Sequence, residues 1–131
     1  LKLKYPPLIA MEDAPDKPNP DGFIYLAKKL SNKKLGSSNL PIAYIGDTIA
    51  DVQTVLNARK KIPSQKFISL GVAPPHLHLD GREKERNLYE SKLKEAGADL
   101  IKFQTFAAHP CVSVSDSCFA ILFTVTFKPP H

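Results

Sequence analysis

Short apolar runs alternate with segments of helical periodicity along most of the chain. Apolar residues recur at helical spacing in three segments, which predicts helices at about 20–34, 48–61 and 82–96. Apolar runs bounded by turn residues lie around them and predict strands at about 5–11, 41–46, 66–72 and 99–101. Strands that alternate with helices in this order favour a parallel α/β sheet.

Local signals mark the ends of these elements. Asn19 is the predicted N-cap of the first helix, and Gly97 follows the last turn of the third helix, where glycine is preferred. The proline-containing segment 73–81 predicts a loop over the C-terminal edge of the sheet. Asp47 directly follows a predicted strand, so it lies at the edge where open α/β sheets bind ligands.

The pattern changes after about residue 102. The run 119–127 is uncharged and rich in β-branched and aromatic residues, which predicts either a terminal strand or an aggregation-prone segment. We expect no catalytic residues there. The domain interpretation is therefore an α/β unit over 1–102 and an atypical apolar tail over 103–131, either out of frame or divergent.

Composition narrows the class of protein. The chain has 131 residues, 43% hydrophobic and 24% charged, which suits one globular domain. Its net charge of +5 comes from scattered basic residues, which favours an anionic small molecule over nucleic acid. With no secretory signal or long apolar span before Cys111 and Cys118, we expect free thiols, no membrane association, and a cytoplasmic or organelle-stromal location.

Two groups of polar residues carry the candidate chemistry. Lys17 precedes the first helix, and Gly46, Asp47, Thr48 and Asp51 lie at the junction of a strand and the next helix. Two carboxylates at one sheet edge suit Mg²⁺, Gly46 allows a close backbone approach, and Thr48 can hydrogen-bond a carboxylate or a phosphate. The alternative is that Asp47 and Thr48 only cap the helix, Asp51 faces solvent and Lys17 is an exposed loop lysine.

Taken in order, these residues resemble the haloacid dehalogenase (HAD) superfamily, in its phosphoglycolate-phosphatase-like branch. Residues 17–20 match the third motif of the family, and Gly46-Asp47-Thr48 with Asp51 match the fourth. The resemblance implies a partial Rossmann-like, three-layer parallel sheet with flanking helices, without the N-terminal strands of the family. In the family the nucleophile strand lies beside the strand that leads to Asp47, so we expect an open edge there.

The resemblance also implies a Mg²⁺-dependent phosphoester hydrolase that acts on a small phosphorylated metabolite through an aspartyl-phosphate. Lys17 would be the catalytic lysine, Asp47 would bind the metal, and Asp51 would support it directly or through water, with Gly46 and Thr48 around them. The nucleophile in this family is the first Asp of an Asp-x-Asp pair, which is absent from this sequence. We therefore expect the chain alone to be inactive and to fold poorly, and, since it begins with Leu1, we expect further sequence upstream.

Two other functions remain open. One is a non-catalytic relative that keeps the metal-binding edge for regulation or partner contact. The other is an unrelated α/β ligand-binding module in which Asp47 and Asp51 only cap a helix. His76 and His78 form a His-x-His pair, a weak transition-metal candidate because no cysteine or carboxylate pattern accompanies it.

Overall fold

The computed structural model describes residues 15–31, 34–102 and 120–123. In chain order its elements are α1 (Asp21–Ser31), β1 (Ile42–Gly46), α2 (Ile49–Lys61), β2 (Phe67–Val72), a short 3-10 helix (Pro75–His78), α3 (Glu83–Ala96), β3 (Leu100–Lys102) and β4 (Ala120–Phe123). The helices and strands predicted between 20 and 102 are confirmed, with small shifts at their ends. The 3-10 helix was not predicted, and the predicted strand at 5–11 lies outside the described residues.

The four described strands form one parallel sheet in the order β3, β2, β1, β4. Ile42 of β1 lies opposite Phe67 of β2, and Gly46 lies opposite Gly71. Every residue of β1 is buried, as expected of an apolar run with strands on both sides. The fold is therefore mixed α/β with a parallel sheet, compatible with a partial Rossmann-like arrangement, and Asp47 lies at its C-terminal edge.

The second edge of β1 is paired with β4. Ala120 lies opposite Ile42, and Phe123 lies opposite Ile45, in a parallel register. The expectation of an open edge beside β1 is therefore wrong, and the strand interpretation of the run 119–127 is confirmed for residues 120–123. A strand-forming run satisfies the backbone groups that an unpaired edge would expose.

All three described α-helices pack on the same face of the sheet. The Phe23 ring of α1 lies 4.9 Å from the Tyr44 ring and 5.0 Å from the Phe67 ring, between centroids. Val55 of α2 belongs to this cluster. Leu93 of α3 packs in a second cluster, which also includes Val52 of α2. The three-layer prediction requires helices on the opposite face as well, and none of the described helices lies there.

Candidate functional site

The candidate site lies where β1 ends and α2 begins. Thr48 is the N-cap of α2, with extended φ and ψ angles of −122° and 158°. Its hydroxyl accepts the Asp51 N–H at 3.1 Å, while the Asp51 carboxylate accepts the Thr48 N–H at 3.0 Å. This reciprocal capping box satisfies two backbone donors at the helix start and fixes the Asp51 carboxylate beside the end of β1.

Gly46 makes room for this carboxylate. A Cβ atom on Gly46 would lie 2.3 Å from the Cβ of Asp51 and 2.6 Å from its Oδ2, far inside van der Waals contact. The close approach of α2 to the strand end therefore requires glycine. Gly46 was predicted to allow a close backbone approach, and in the structure the group that approaches it is Asp51.

Lys17 reaches the same carboxylate from the loop before α1. Its Nζ lies 2.6 Å from Asp51 Oδ1, and the side chains are 34% and 1% exposed, respectively. A buried carboxylate without a counter-charge would be strongly destabilising, and Lys17 supplies that charge while keeping contact with solvent. The alternative of a solvent-facing Asp51 is therefore wrong. Lys17 is exposed in its loop, as that alternative expected, but it pairs with Asp51, and Thr48 does cap the helix.

The loop that carries Lys17 is attached to both neighbouring helices. Asn19 caps the start of α1, as predicted, because its Oδ1 accepts the Asp21 N–H at 2.9 Å. Asn57 of α2 donates from Nδ2 to the Pro18 carbonyl, also at 2.9 Å. These two contacts hold the backbone on the C-terminal side of Lys17 against α1 and α2.

Tyr44 completes the surroundings of Asp51. Its hydroxyl donates to Asp51 Oδ1 at 2.9 Å, and the Thr48 hydroxyl donates to Oδ2 at 2.8 Å. Both carboxylate oxygens therefore hold protein donors. Sequence reasoning placed Tyr44 in a buried strand without a role in the site, because an apolar run does not reveal which acceptor a buried tyrosine will find.

Asp47 is half-buried at the end of β1, and Tyr89 of α3 donates a hydrogen bond to its backbone carbonyl. Burial, followed by the nearby charges of Asp47 and Asp51, raises the pKa of Tyr89 above its ordinary value of 10.0. The helical pattern at 82–96 gave no sign that the Tyr89 hydroxyl reaches Asp47. Tyr89 is the second tyrosine of the site that sequence reasoning missed.

A shallow groove lies beside Tyr89. Its volume is about 280 Å³, and its lining residues are His76, Leu77, Glu85, Leu88, Tyr89 and Lys92. Because Tyr89 both lines the groove and hydrogen-bonds Asp47, a single side chain connects the two. The predicted loop 73–81 therefore contributes to a concave surface near the carboxylates.

No family model, curated protein or solved structure matches this chain. Within the described residues, every helix is too short or too polar to cross a membrane. The HAD resemblance therefore depends on the motif residues and on where the fold places them, and it stays a prediction.

Asp47 and Asp51 are the Mg²⁺-binding candidates that the resemblance implies. Within 15–31, 34–102 and 120–123, no three His, Cys, Asp or Glu side chains come together as a metal-binding group. Mg²⁺ is commonly held by one or two carboxylates, with water and a substrate phosphate completing its octahedron. Both oxygens of Asp51 hold protein donors, so its contacts favour an indirect supporting role, and direct Mg²⁺ binding by Asp47 stays a prediction.

The His-x-His pair does not gather further ligands among the described residues. His78 Nε2 lies 2.9 Å from the Ala73 carbonyl of its own loop, and His76 lines the groove. The structure therefore gives this second metal candidate no additional support.

Proposed function

We propose that this chain is the Mg²⁺- and phosphate-binding part of a HAD-type phosphatase for small phosphorylated metabolites, and that it does not complete hydrolysis by itself. The observation that supports this function is the Lys17–Asp51 ion pair beside Asp47. Helix α1 and strand β1 separate the two motifs in the chain. Their residues nevertheless meet at the C-terminal edge of a parallel sheet, where such folds bind ligands.

Each residue has a distinct role in this proposal. Lys17 supplies a compact positive charge for a phosphate group, and the N-terminus of α2 adds the positive end of its dipole. Asp47 would hold Mg²⁺, and the bound ion would supply positive charge against the phosphate oxygens. Asp51 holds Lys17 in place and supports Asp47 without contacting the metal.

Hydrolysis by this route also needs a nucleophile. The sequence contains no Asp-x-Asp pair, which is the expected source of the nucleophile and of the general acid and base. We therefore expect the chain to bind a phosphate ion in the presence of Mg²⁺ and to leave phosphomonoesters intact.

A second candidate function is a non-catalytic HAD-like metal- or partner-binding module. The observation that favours it is the pairing of β4 with β1. In the family the nucleophile strand would run along this edge of β1, and here the chain itself occupies the edge. A chain closed in this way would keep the metal-binding edge while excluding the strand that catalysis requires.

A Mg²⁺ titration tests the metal site. Mg²⁺ that binds only the folded chain stabilises it by about 1.4 kcal/mol at ten times its dissociation constant, a rise of roughly 4–8 °C in the melting temperature. We expect this rise in the wild type and its loss in Asp47→Asn. Asp80→Asn removes an exposed loop carboxylate and is the matched control, which should respond like the wild type. An equal response in Asp47→Asn would refute the metal assignment.

Turnover separates the two candidate functions from an active enzyme. We expect no Mg²⁺-dependent hydrolysis of p-nitrophenyl phosphate above the buffer rate. Hydrolysis that disappears in Asp47→Asn would show that the chain is a complete enzyme and would contradict both candidates. Binding of inorganic phosphate without turnover supports the phosphatase portion, and Mg²⁺ binding without phosphate binding supports the non-catalytic module.

A further inference from the structure

Tyr44 lies beneath the candidate site with its ring in the core. Its relative exposure is 2%, and its ring packs edge-on against Phe23 at an interplanar angle of 77°. A buried tyrosine hydroxyl needs a hydrogen-bond partner, and this one donates to Asp51 Oδ1. Strand β1 is therefore connected to the site through one buried hydroxyl group.

This hydrogen bond adds a second point of attachment to the Asp51 carboxylate, at the oxygen that the capping box does not hold. Rotation of an aspartate carboxylate about χ2 has a broad energy minimum. Thr48 holds Oδ2 through its N–H and its hydroxyl, at 3.0 and 2.8 Å. Tyr44 holds Oδ1 from a different element, so the two ends of the carboxylate are fixed independently.

Lys17 binds the oxygen that Tyr44 orients. The distance from Lys17 Nζ to Asp51 Oδ1 is 2.6 Å, and the lysine side chain is 34% exposed. A lysine side chain is flexible, and this one is partly exposed, so its ammonium group needs a fixed acceptor to hold one position. The hydroxyl of Tyr44 therefore helps to set where the charge of Lys17 lies, by orienting the Asp51 oxygen that both groups contact.

We propose that Tyr44 is a positioning residue that fixes Lys17, through Asp51, for binding of a phosphate dianion. The binding part of this inference rests on the proposed function, whereas the positioning part concerns the ion pair alone. The ligand class is a phosphomonoester or inorganic phosphate bound together with Mg²⁺. The other contacts to the Asp51 carboxylate come from Lys17 and Thr48, which belong to the two motifs. Tyr44 was not among the residues predicted for the site.

The experiment compares wild type, Tyr44→Phe, Phe23→Leu, Lys17→Gln and the double variant with Tyr44→Phe and Lys17→Gln. One readout is the rate at which an amine-reactive reagent labels Lys17, measured by mass spectrometry against the exposed Lys28. The other is the affinity for inorganic phosphate in Mg²⁺, measured by calorimetry. Phe23→Leu disturbs the same aromatic cluster without removing a donor from Asp51, so it controls for a purely structural effect.

We expect Tyr44→Phe to increase the labelling of Lys17 and to weaken phosphate binding, each by roughly twofold to tenfold, the range for losing one hydrogen bond. Phe23→Leu should lower the melting temperature without changing the relative labelling of Lys17. In the Lys17→Gln background, Tyr44→Phe should no longer change phosphate affinity.

Three results would overturn the inference. They are unchanged labelling of Lys17 in Tyr44→Phe, equal labelling changes in Phe23→Leu and Tyr44→Phe, and an undiminished effect of Tyr44→Phe on phosphate affinity without Lys17. A wild-type chain that binds no phosphate would instead refute the proposed function. Labelling of Lys17 would then still decide whether Tyr44 positions the ion pair.

Discussion

The Asp51 carboxylate illustrates how much one buried charge can organise. It is 1% exposed, and it accepts contacts from Lys17, Tyr44 and Thr48, which belong to a loop, a strand and a helix cap. Burial of a carboxylate is unfavourable unless hydrogen bonds and a counter-charge offset the lost hydration. The residues that offset it are therefore drawn to one point, and this point is the candidate site.

The raised pKa of Tyr89 predicts a change in stability at high pH. The folded chain holds the phenolic proton more tightly than the unfolded chain, because burial and the Asp47 and Asp51 charges disfavour the phenolate. This group therefore makes no pH-dependent contribution well below pH 10.0, and it destabilises the fold as the pH rises beyond that value. In metal-free buffer, the free energy of unfolding should fall more steeply above about pH 10 in wild type than in Tyr89→Phe.

Urea denaturation across this pH range measures the difference. The matched control is Tyr25→Phe, which alters a tyrosine that is 51% exposed and should keep the wild-type slope. Equal slopes in wild type and Tyr89→Phe would contradict the link between Tyr89 and the two carboxylates.

Between elements, the junction of β1 and α2 determines whether the site can form. The helix start comes so close to the strand end that Gly46 and Asp51 share the space of one side chain. The motif spacing predicted that Asp47 ends the strand and that Asp51 lies in the first helical turn, and both placements hold. The contact between Gly46 and Asp51 was beyond the sequence, because it depends on the angle at which α2 leaves the sheet.

Gly46→Ala tests this close approach. The added methyl group would clash with the Cβ and the carboxylate of Asp51. We therefore expect the free energy of unfolding to fall by about 1–3 kcal/mol, as in overpacked cores. The control is Gly36→Ala, whose added Cβ would lie 3.7 Å from the Ser64 hydroxyl oxygen, an ordinary contact. Thermal and urea unfolding measure both variants, and equal effects would show that the space beside Gly46 is not limiting.

At the scale of the whole molecule, strands that are distant in sequence pair to complete the sheet. β4 follows β3 in the chain but pairs with β1, on the side of β1 that faces away from β2. β1 is therefore an interior strand of the sheet. The candidate site begins at the C-terminal end of this interior strand and not on an edge strand. The tail segment that the sequence analysis set apart therefore contributes a strand to the same sheet.

A chain that ends at Lys102 tests the contribution of β4. Backbone amides of β1 that face β4 would lose their partners, so hydrogen exchange in β1 should become faster than in the full chain. Exchange in α3 is the reference for global unfolding, because the element contacts of α3 are with α2, β2, β3 and the 3-10 helix. Exchange rates in β1 that stay the same relative to α3 would contradict the pairing.

Sequence by itself determined the local features of this protein. Apolar periodicity located α1, α2 and α3 and the strands β1 to β3, and capping and strand-end signals located Asn19 and Asp47. These features depend on neighbouring residues, whose spacing is fixed by the covalent chain. The motif order also selected Lys17 and Asp51 as members of one candidate site before any contact was known.

Only the tertiary structure decided which residues meet across the chain. The contacts of Tyr44 and Tyr89, the burial of Asp51 and the pairing of β4 with β1 all join residues from different elements. The physical reason is that a buried polar group hydrogen-bonds to whichever partner the packing brings near. The local sequence pattern does not specify that partner. The folded arrangement of helices and strands therefore determines the contacts of the Asp51 carboxylate and of the two tyrosine hydroxyls. It also determines which strand pairs with the second edge of β1.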